Sequence, residues 1–503
     1  MNQLYEKLTP YLEQRRMIQT SLTLFEWDLE TMAPDRAVER TATVMELLQD
    51  GLRKAILEPE TKQTIEALKE AADLTPEEEA VVRELSLELE KMEAIPAEEY
   101  RAYANLQAKA ASIWSDAKEK NDFSAFAPTL EKVVDMTRRF AEARANGKKK
   151  PYDVLLEDYE KGFTEEKLDP FFEKLEEELP PLVQEVVKAQ EGLDDFFLHQ
   201  SYPIGKQREF NEYLADYMGL DKKRVAMAES AHPFTTNLHC DDVRITTHYY
   251  EKLPVSAIFS TIHEGGHALY ELGVAPELTL TPVGMGASCG MHESQSRFYE
   301  NMLGRRKEFW IPLYGKLQEL FEDQLGEISL DQFMAAVNRV QPGPVRIEAD
   351  ELTYSLHILV RYRLEKELFG GELKVKELPE RWEELYEKYL GIRPKDAAEG
   401  VLQDIHWAQG SFGYFPSYAL GNAFAAQIDR RMEEEIPVGE ILAEGRLSEI
   451  TDWLREKIHR FGAVKPVPEL LREATGEDFC PDYYLEYLKN KAHSITSLSK
   501  KVK

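Results

Sequence analysis

The chain has few cysteines, no long apolar run and fewer basic than acidic residues, and each shortage excludes a class of protein. Three cysteines, Cys240, Cys289 and Cys480, are spread over 503 residues, which argues against a disulfide framework and for reduced, buried thiols. No apolar run approaches the roughly 18 residues that span a bilayer, and the polar N-terminal stretch shows no secretory signal. We therefore expect a cytoplasmic protein that does not enter membranes.

The charge balance narrows the range of partners. Lysine and arginine number 62, aspartate and glutamate 92, and the formal net charge is −30. Such a chain repels the phosphates of nucleic acids and of anionic lipids. Hydrophobic residues make up 43% of the chain, which is enough for a large core and too many for a disordered protein. The sequence predicts a globular protein that binds neither nucleic acid nor membranes.

Helical patterns dominate the chain. Glycine (27) and proline (25) lie slightly below their usual share. Residues 75–94 carry a capping Thr75, Pro76 at the first helical position and apolar residues at helical spacing. Similar periodicity runs through most of residues 1–145 and resumes near residue 305, so we expect a mainly α protein.

Other patterns predict interruptions of the helices. Asn146 and Gly147 indicate a loop, and Pro180-Pro181 is expected to break an acidic helix. The basic tail at 491–503 is expected to be frayed. The clearest strand prediction is 242–248, where apolar and polar side chains alternate.

Histidine is unevenly distributed along the chain. Of eleven histidines, eight lie between residues 232 and 406, which indicates a metal or proton-transfer site. His263 and His267 belong to an H-E-x-x-H motif and share one helical face, where both imidazoles can bind one ion, with Glu264 beside the position of a bound water. An ordinary amphipathic helix is the alternative. Gly265 and Gly266 argue against it, because each costs about 1 kcal/mol inside a helix unless something approaches the backbone closely.

A catalytic zinc site needs a third protein ligand and an open fourth position. The metzincin pattern is excluded, because the chain lacks its downstream glycine and histidine. Glu271 lies too far along the helix axis, and Glu277 lies in a proline-flanked loop. Glu293 begins the next predicted helix and is our candidate ligand. Glu300, two turns further on, is either an orienter of a histidine or a solvated charge.

Beyond this segment the chain resembles the carboxypeptidase Taq family of thermostable metallocarboxypeptidases. The early segment from Trp27 to Pro34 is similar to that of the family, and valine at 345 in place of isoleucine is the one conservative departure. The other family motifs occur in order: His232-Pro-Phe234, Asp242-Val-Arg244-Ile-Thr246, His263-Glu-Gly-Gly-His267, His292-Glu-Ser-Gln295, Val345-Arg346-Ile-Glu-Ala-Asp350 and Gly400-Val-Leu-Gln403-Asp404-Ile-His406-Trp407.

The resemblance implies one metallopeptidase domain over residues 1–503, mainly α, with a deep central groove between two lobes and a small edge β-sheet. It implies a homodimer that releases C-terminal amino acids from peptides with broad specificity and disfavours C-terminal proline. In this scheme His263, His267 and Glu293 bind Zn²⁺, and Glu264 is the general base. Co²⁺ or Mn²⁺ would also suit two imidazoles and a carboxylate.

An enzyme that acts at C-termini must recognise a free carboxylate, for which the planar fork of arginine is well suited. The family motif assigns this role to Arg346. Its alternative role is an ion pair with Asp350, four residues further along the chain.

Further substrate contacts are expected in two regions. His406 and Tyr414, followed by Tyr418, lie in a segment able to reach over the metal and donate hydrogen bonds to a developing oxyanion. Asp404 either orients an imidazole or caps a helix.

The resemblance also places His232 and Arg244 in the substrate groove. Both residue types are common surface features in such settings, so the alternative is that neither contacts substrate. If 242–247 is an edge strand, it can pair with the substrate backbone.

Two other functions fit parts of the sequence. An oligopeptide endopeptidase of similar helical fold would share the zinc motif but would not need Arg346. A non-enzymatic helical protein with a structural metal site is the second alternative. A structural zinc normally has four protein ligands, typically cysteines, and the chain has no paired C-x-x-C arrangement.

Overall fold

The computed structural model describes residues 3–279 and 281–502, and these are predominantly helical, as the sequence predicts. A π-helical turn, Phe298–Leu303, directly follows the helix Cys289–Arg297. No described helix is both long and apolar enough to cross a membrane. The α-helices are α1 Thr9–Thr31, α2 Val38–Ile56, α3 Pro59–Leu68, α4 Pro76–Glu93, α5 Ala97–Glu119, α6 Phe123–Ala145, α7 Pro151–Glu157, α8 Glu165–Ala189, α9 Ile204–Tyr217, α10 Pro254–Gly273, α11 Cys289–Arg297, α12 Lys307–Trp310, α13 Tyr314–Leu320, α14 Glu322–Leu325, α15 Leu330–Val337, α16 Glu351–Gly370, α17 Leu378–Leu390, α18 Pro416–Glu435, α19 Val438–Ala443, α20 Leu447–Lys457, α21 Val467–Thr475 and α22 Asp482–Val502.

Helix α4 confirms the prediction for residues 75–94. The Thr75 hydroxyl accepts the backbone N–H of Glu78, and the Glu78 side chain accepts the backbone N–H of Thr75. This reciprocal capping satisfies two donors that a helix start otherwise leaves unpaired. The loop at Asn146 is also confirmed, because Asn146 ends α6 in the left-handed conformation.

The predicted break at Pro180-Pro181 is wrong, because α8 runs through both prolines. Leu175, Leu179 and Val183 are buried along one face of the helix, and this packing holds it together. Pro181 lies on the exposed side, where water can bond the carbonyls that lose their N–H partners.

The predicted fraying of 491–503 is also wrong as far as residue 502, and Lys503 lies outside the described residues. Helix α22 continues to Val502, with Leu488, Ala492 and Ile495 buried at helical spacing. Lysines at the end of the helix remain exposed. These lysines therefore lie on its exposed face, and apolar residues on the other face pack into the core.

Three strands form a small sheet: β1 (Val225–Glu229), β2 (Thr235–His239) and β3 (Asp242–Thr247). Strand β3 lies in the middle, parallel to β1 and antiparallel to β2. The strand prediction is confirmed, but the expectation that 242–247 forms an edge is wrong. Val243 and Ile245 of β3 are fully buried, and β2 is the edge strand next to it.

The buried apolar residues form two clusters. The larger runs from Ala110 to Ile495 and includes α10, α11, α16 and α18. The smaller joins residues of α1 to α4 to Val274, Leu278 and Val283.

The cysteines are all free, but they are not uniformly buried. Cys240 is buried as expected, whereas Cys289 is exposed and Cys480 is partly exposed. The prediction of buried thiols is therefore wrong for Cys289, because it occupies the first position of α11, where the chain enters the helix.

Candidate active site

Two helices bring together the three predicted metal ligands. His263 and His267 lie on α10 with ring centroids 5.0 Å apart. Glu293 of α11 points Oε2 at both imidazoles, 3.7 Å from Nε2 of His263 and 3.5 Å from Nε2 of His267. One ligand atom from each residue lies within 4.8 Å of the others.

The donor set fits a divalent cation. Two imidazole nitrogens and one carboxylate oxygen are the ligands of many catalytic zinc sites, which keep a fourth position open. Burial and His292 lower the pKa of His267 to about 3, so its ring is neutral and has a free lone pair. Burial opposes a charge on His263, yet Glu293 and Glu300 raise its pKa. The cluster therefore favours positive charge at its centre.

Outer hydrogen bonds fix both imidazoles. Nδ1 of His263 lies 2.8 Å from Oε2 of Glu300, and Nδ1 of His267 lies 2.6 Å from Nδ1 of His292. Nε2 of His292 in turn lies 2.6 Å from Oε1 of Glu271. If His292 donates to Glu271, its Nδ1 accepts the proton of His267. Both ligand histidines then keep Nε2 unprotonated for a metal.

Sequence reasoning found only part of this outer layer. It anticipated that Glu300 orients a histidine, and the structure places Glu300 accordingly. It set Glu271 aside as a ligand and missed its contact with His292. It also missed Arg297, which donates to Glu293 at 2.8 Å and to Glu300 at 3.0 Å. The i,i+3 and i,i+4 spacing of these charges was the available signal.

Glycines let the helices approach closely. A Cβ on Gly266 would lie 2.7 Å from the backbone oxygen of Gln295 in α11, and one on Gly421 of α18 would lie 2.6 Å from Cγ of Glu293. A Cβ on Gly265 would instead meet the end of the flexible Met218 side chain at 2.6 Å. The expectation that something approaches the backbone here is confirmed, and at Gly266 it is the helix that carries Glu293.

Glu264 lies beside the cluster and is only 6% exposed. Its Oε2 accepts a hydrogen bond of 2.6 Å from the hydroxyl of Thr235 on β2. Burial raises the pKa of Glu264, and the neighbouring His263 and Thr235 partly offset this effect. A carboxylate with a raised pKa is a stronger base than one in water.

Arg346 is buried in a 3-10 turn and pairs with Asp404, not with Asp350. Its Nε and Nη2 lie 3.1 and 2.8 Å from Oδ1 of Asp404. Arg361 of α16 binds the other oxygen of Asp404 at 2.9 and 2.7 Å. Asp350 instead caps α16 through the N–H groups of Leu352 and Thr353.

The alternative ion pair of Arg346 with Asp350 is therefore wrong. Both roles considered for Asp404 are also wrong, because Asp404 joins two guanidinium groups. Two cations and one anion leave this cluster with a net charge of +1, which suits one incoming carboxylate.

His406, Tyr414 and Tyr418 cluster beside Arg346. The rings of His406 and Tyr414 stack at 5.4 Å, and the guanidinium of Arg346 lies 5.0 Å from the centre of the Tyr418 ring. Burial lowers the pKa of His406 to about 4, so the imidazole is neutral at pH 7. Its buried Nδ1 has no hydrogen-bond partner among the described residues.

Tyr354 and Arg297 link this cluster to the metal ligands. Nη1 of Arg346 lies 3.3 Å from the hydroxyl of Tyr354, and Arg297 lies over the Tyr354 ring at 4.3 Å. Because Arg297 also binds Glu293, the Arg346 cluster lies on the Glu293 side of the metal site.

The structure does not bring His232 and Arg244 into the metal cluster. His232 is exposed. Arg244 forms two hydrogen bonds of 2.8 Å to Asp242 and lies over the Trp27 ring. Trp27 in turn packs against Phe234. Three of the sequence motifs therefore meet in one local contact, and a substrate role for His232 or Arg244 stays a prediction.

The fold and the site together define a helical metallopeptidase. Residues 7–492 match the family described as carboxypeptidase Taq (M32) metallopeptidase. The chain is 42% identical to carboxypeptidase 1 of Bacillus subtilis, over 94% of this chain and 95% of that one. It is 38% identical to thermostable carboxypeptidase 1 of Thermus thermophilus, over 97% and 98%.

Solved structures agree with these sequence comparisons. The M32 carboxypeptidase of Deinococcus radiodurans superposes with a TM-score of 0.95 at 33% identity, covering 99% of this chain and 100% of that one. The Pyrococcus furiosus carboxypeptidase gives 0.95 at 36% identity, over 98% and 99%. The chain belongs to the carboxypeptidase Taq (M32) family and is a metallocarboxypeptidase.

Proposed function

We propose that this metallocarboxypeptidase uses Zn²⁺ to release C-terminal amino acids from peptides with broad specificity, and that it disfavours C-terminal proline. The main support is that His263, His267 and Glu293 lie together beside Glu264. A cluster of two arginines and Asp404 with a net positive charge is linked to Glu293. Proline is disfavoured because its nitrogen carries no hydrogen and its ring fixes the backbone.

The residues of this chain divide the chemistry among them. A bound divalent cation supplies Lewis acidity, which polarises the scissile carbonyl and acidifies a water. Thr235 holds Oε2 of Glu264, which leaves Oε1 to accept the proton of the attacking water. Glu264 then returns that proton to the leaving amine nitrogen. His406 and Tyr414 donate hydrogen bonds to the oxyanion as neutral groups.

Arg346 binds the terminal carboxylate of the peptide. Its fork is held by Asp404, and Arg361 supplies the extra positive charge that keeps the cluster at +1. The remaining N–H groups of Arg346 are thereby fixed in place before substrate arrives, which lowers the entropy lost on binding.

Metal analysis combined with an activity assay tests the proposal. The purified protein should contain about one zinc per chain, lose activity with a chelator and regain it with Zn²⁺, Co²⁺ or Mn²⁺. Mass spectrometry of a digested peptide should show single residues lost from the C-terminus, with slow release where proline is last. Absence of metal, or activity that a chelator does not affect, would refute the proposal, and internal fragments would indicate an endopeptidase.

Three further expectations belong to this proposal: one domain over residues 1–503, a homodimer and a cytoplasmic location. The continuous family match supports the single domain. Exposed apolar side chains on and beside α1 and α2 support self-association, with Met17 63%, Met32 72% and Leu47 72% exposed. Light scattering after size exclusion should give twice the chain mass, and a monomer would contradict the dimer.

A further inference from the structure

A cavity of about 330 Å³ lies beside the metal cluster and is not used by the chemistry above. Side chains of α1 and residues of strand β2 line it. The loop from Thr281 to Met285 lines another side, and Glu271 and His292 line the part next to the metal ligands. The cavity is open to solvent and is large enough for several residues of an extended peptide.

The cavity begins at the general base. Thr235 lines it and also binds Glu264, while His292 lines it and binds His267. The Arg346 cluster is linked instead to Glu293, through Tyr354 and Arg297, and none of its residues lines the cavity. If the terminal carboxylate binds Arg346, as the proposed function requires, the peptide upstream of the scissile bond leaves on the cavity side.

The strand that lines the cavity suits an extended chain. Strand β2 is the edge of the sheet, and within the described residues β3 is its one strand partner. An edge strand offers backbone N–H and C=O groups to a peptide of any sequence. Selectivity among peptide sequences must therefore come from the other side chains that line the cavity, including those of α1.

Two arginines of α1, Arg15 and Arg16, line the cavity, and within the described residues only Arg15 has an ionic partner. Arg16 of α1 makes no hydrogen bond or ion pair with any described residue, and its buried Nε has no partner. Nε of Arg15 is likewise unpaired, and its Nη2 is 3.4 Å from Glu88. Glu271 is the one carboxylate among the lining residues, and it is occupied by His292, Asn237 and the N–H of Gly286.

Acidic residues outnumber basic ones by 92 to 62 in this chain, yet no described carboxylate pairs with Arg16, which lines the cavity. The planar fork of a guanidinium that lines a cavity can bind both oxygens of a carboxylate. We propose that Arg16 selects peptides that carry an acidic side chain upstream of the scissile bond.

A matched peptide series tests this selectivity. The peptides share the C-terminal residue and differ only in Glu, Gln or Lys at successive upstream positions, and kcat/KM is measured as release of the C-terminal amino acid. At one upstream position the wild-type enzyme should prefer Glu over Gln by about five- to tenfold, with Lys poorest. Arg16→Gln should reduce this ratio to about one, and Arg16→Glu should favour Lys.

Arg40→Gln is the matched control, because Arg40 is exposed on α2 and does not line the cavity. It should keep the wild-type preference for Glu. Each preference is a ratio within one enzyme preparation, so a general loss of activity does not imitate a loss of selectivity. If Arg16→Gln does not fold, as judged by circular dichroism, Arg16→Glu tests the role of Arg16 instead, because it should change the preference from Glu to Lys.

The outcomes separate this inference from the proposed function. An N-blocked dipeptide, which extends little beyond the scissile bond, reports carboxypeptidase activity alone. If no peptide loses its C-terminal residue, the proposed function fails. If release proceeds with equal kcat/KM for Glu, Gln and Lys peptides, or if Arg16→Gln keeps the preference, the inference about Arg16 is wrong and the proposed function stands.

Discussion

The two sides of the metal cluster use arginine in opposite ways. On the Glu293 side, Arg346 and Arg361 are buried and share the carboxylate of Asp404. On the Glu264 side, Arg16 lines an open cavity and has no hydrogen-bond or ion-pair partner among the described residues. Every C-terminus carries the same carboxylate, so a fixed arginine can bind it. Upstream side chains vary between peptides, so an unpaired arginine there discriminates among them and does not bind them all equally.

The Glu293 side, where Asp404 fixes Arg346 and Arg361 and which is called the fixed side below, also shows how a buried charge is tolerated. Arg346 is only 6% exposed, and an unpaired guanidinium at such a depth would be costly. Asp404 removes most of that cost and, by binding two arginines, leaves one positive charge uncompensated. The ion cluster is therefore tolerated at this depth and keeps a net charge of +1.

The largest expected effect belongs to the residue between the two sides. Glu264→Gln should lower kcat by about 10³- to 10⁴-fold for every peptide, because the proposed general base is lost, while the metal content stays at the wild-type level. Turnover and metal content are measured on the same preparation. Glu277→Gln, at an exposed position after α10, is the control and should behave like wild type. Turnover of the Glu264 variant near the wild-type rate would refute the assignment.

The next effect should be confined to the fixed side. Arg346→Ala removes the fork that we propose binds the substrate carboxylate, so kcat/KM for peptides with a free C-terminus should fall about 10²- to 10³-fold. The slow hydrolysis of the same peptides as C-terminal amides should change far less. Arg363 lies on the same helix as Arg361 and pairs with Glu176. Arg363→Ala is therefore the control and should leave both rates near wild type. Equal losses for acid and amide would mean that Arg346 is structural.

A third prediction concerns the helix contact on which both sides depend. Gly266→Ala should lower the free energy of unfolding by about 2–3 kcal/mol and weaken zinc binding, because the new methyl group meets the backbone of α11. Gly265→Ala meets only the flexible end of Met218, so it should change stability by less than about 1 kcal/mol. Urea unfolding and zinc titration of the two variants provide the comparison. If the two variants lose the same stability and the same zinc affinity, the close approach of α10 and α11 does not limit either property.

The smallest predicted effect is a pH dependence of stability on the fixed side. Burial raises the pKa of Glu365 to about 7, although Gly413, Trp407 and Tyr152 donate hydrogen bonds to it. Between the ordinary pKa of about 4.5 and 7, the unfolded chain loses this proton before the folded chain does. The free energy of unfolding therefore falls as pH rises through this window and is constant above it.

Glu365→Gln removes this contribution. Its destabilisation relative to wild type should be larger at pH 5 than at pH 8 by about 2–3 kcal/mol, measured by urea unfolding at both values. Glu383→Gln, at an exposed position of α17, should show the same difference from wild type at both. A pH-independent effect of the Glu365 variant would contradict the raised pKa.

Local patterns predicted much of the fold and the inner part of the site. The helical period identified α4, the H-E-x-x-H spacing placed two imidazoles on one face, and Glu293 followed because it began the next helix. The predictions failed where tertiary packing outweighed local propensity. Buried residues hold α8 together through Pro180-Pro181 and extend α22 to the end of the described chain.

The sequence by itself determined the helical class, the metal-binding residue types and the acidic exterior, because these depend on composition and on neighbours within a turn or two. The tertiary structure decided which charged side chains form ion pairs and with which partners. Arg346 lies four residues from Asp350 but binds Asp404, 58 residues away, and Glu271 binds His292 across two helices. Arg16 lines the cavity together with residues of β2 and has no partner within the part of the chain that the structure describes. Ion pairing depends on distance in space, which spacing along the chain fixes only within a helix.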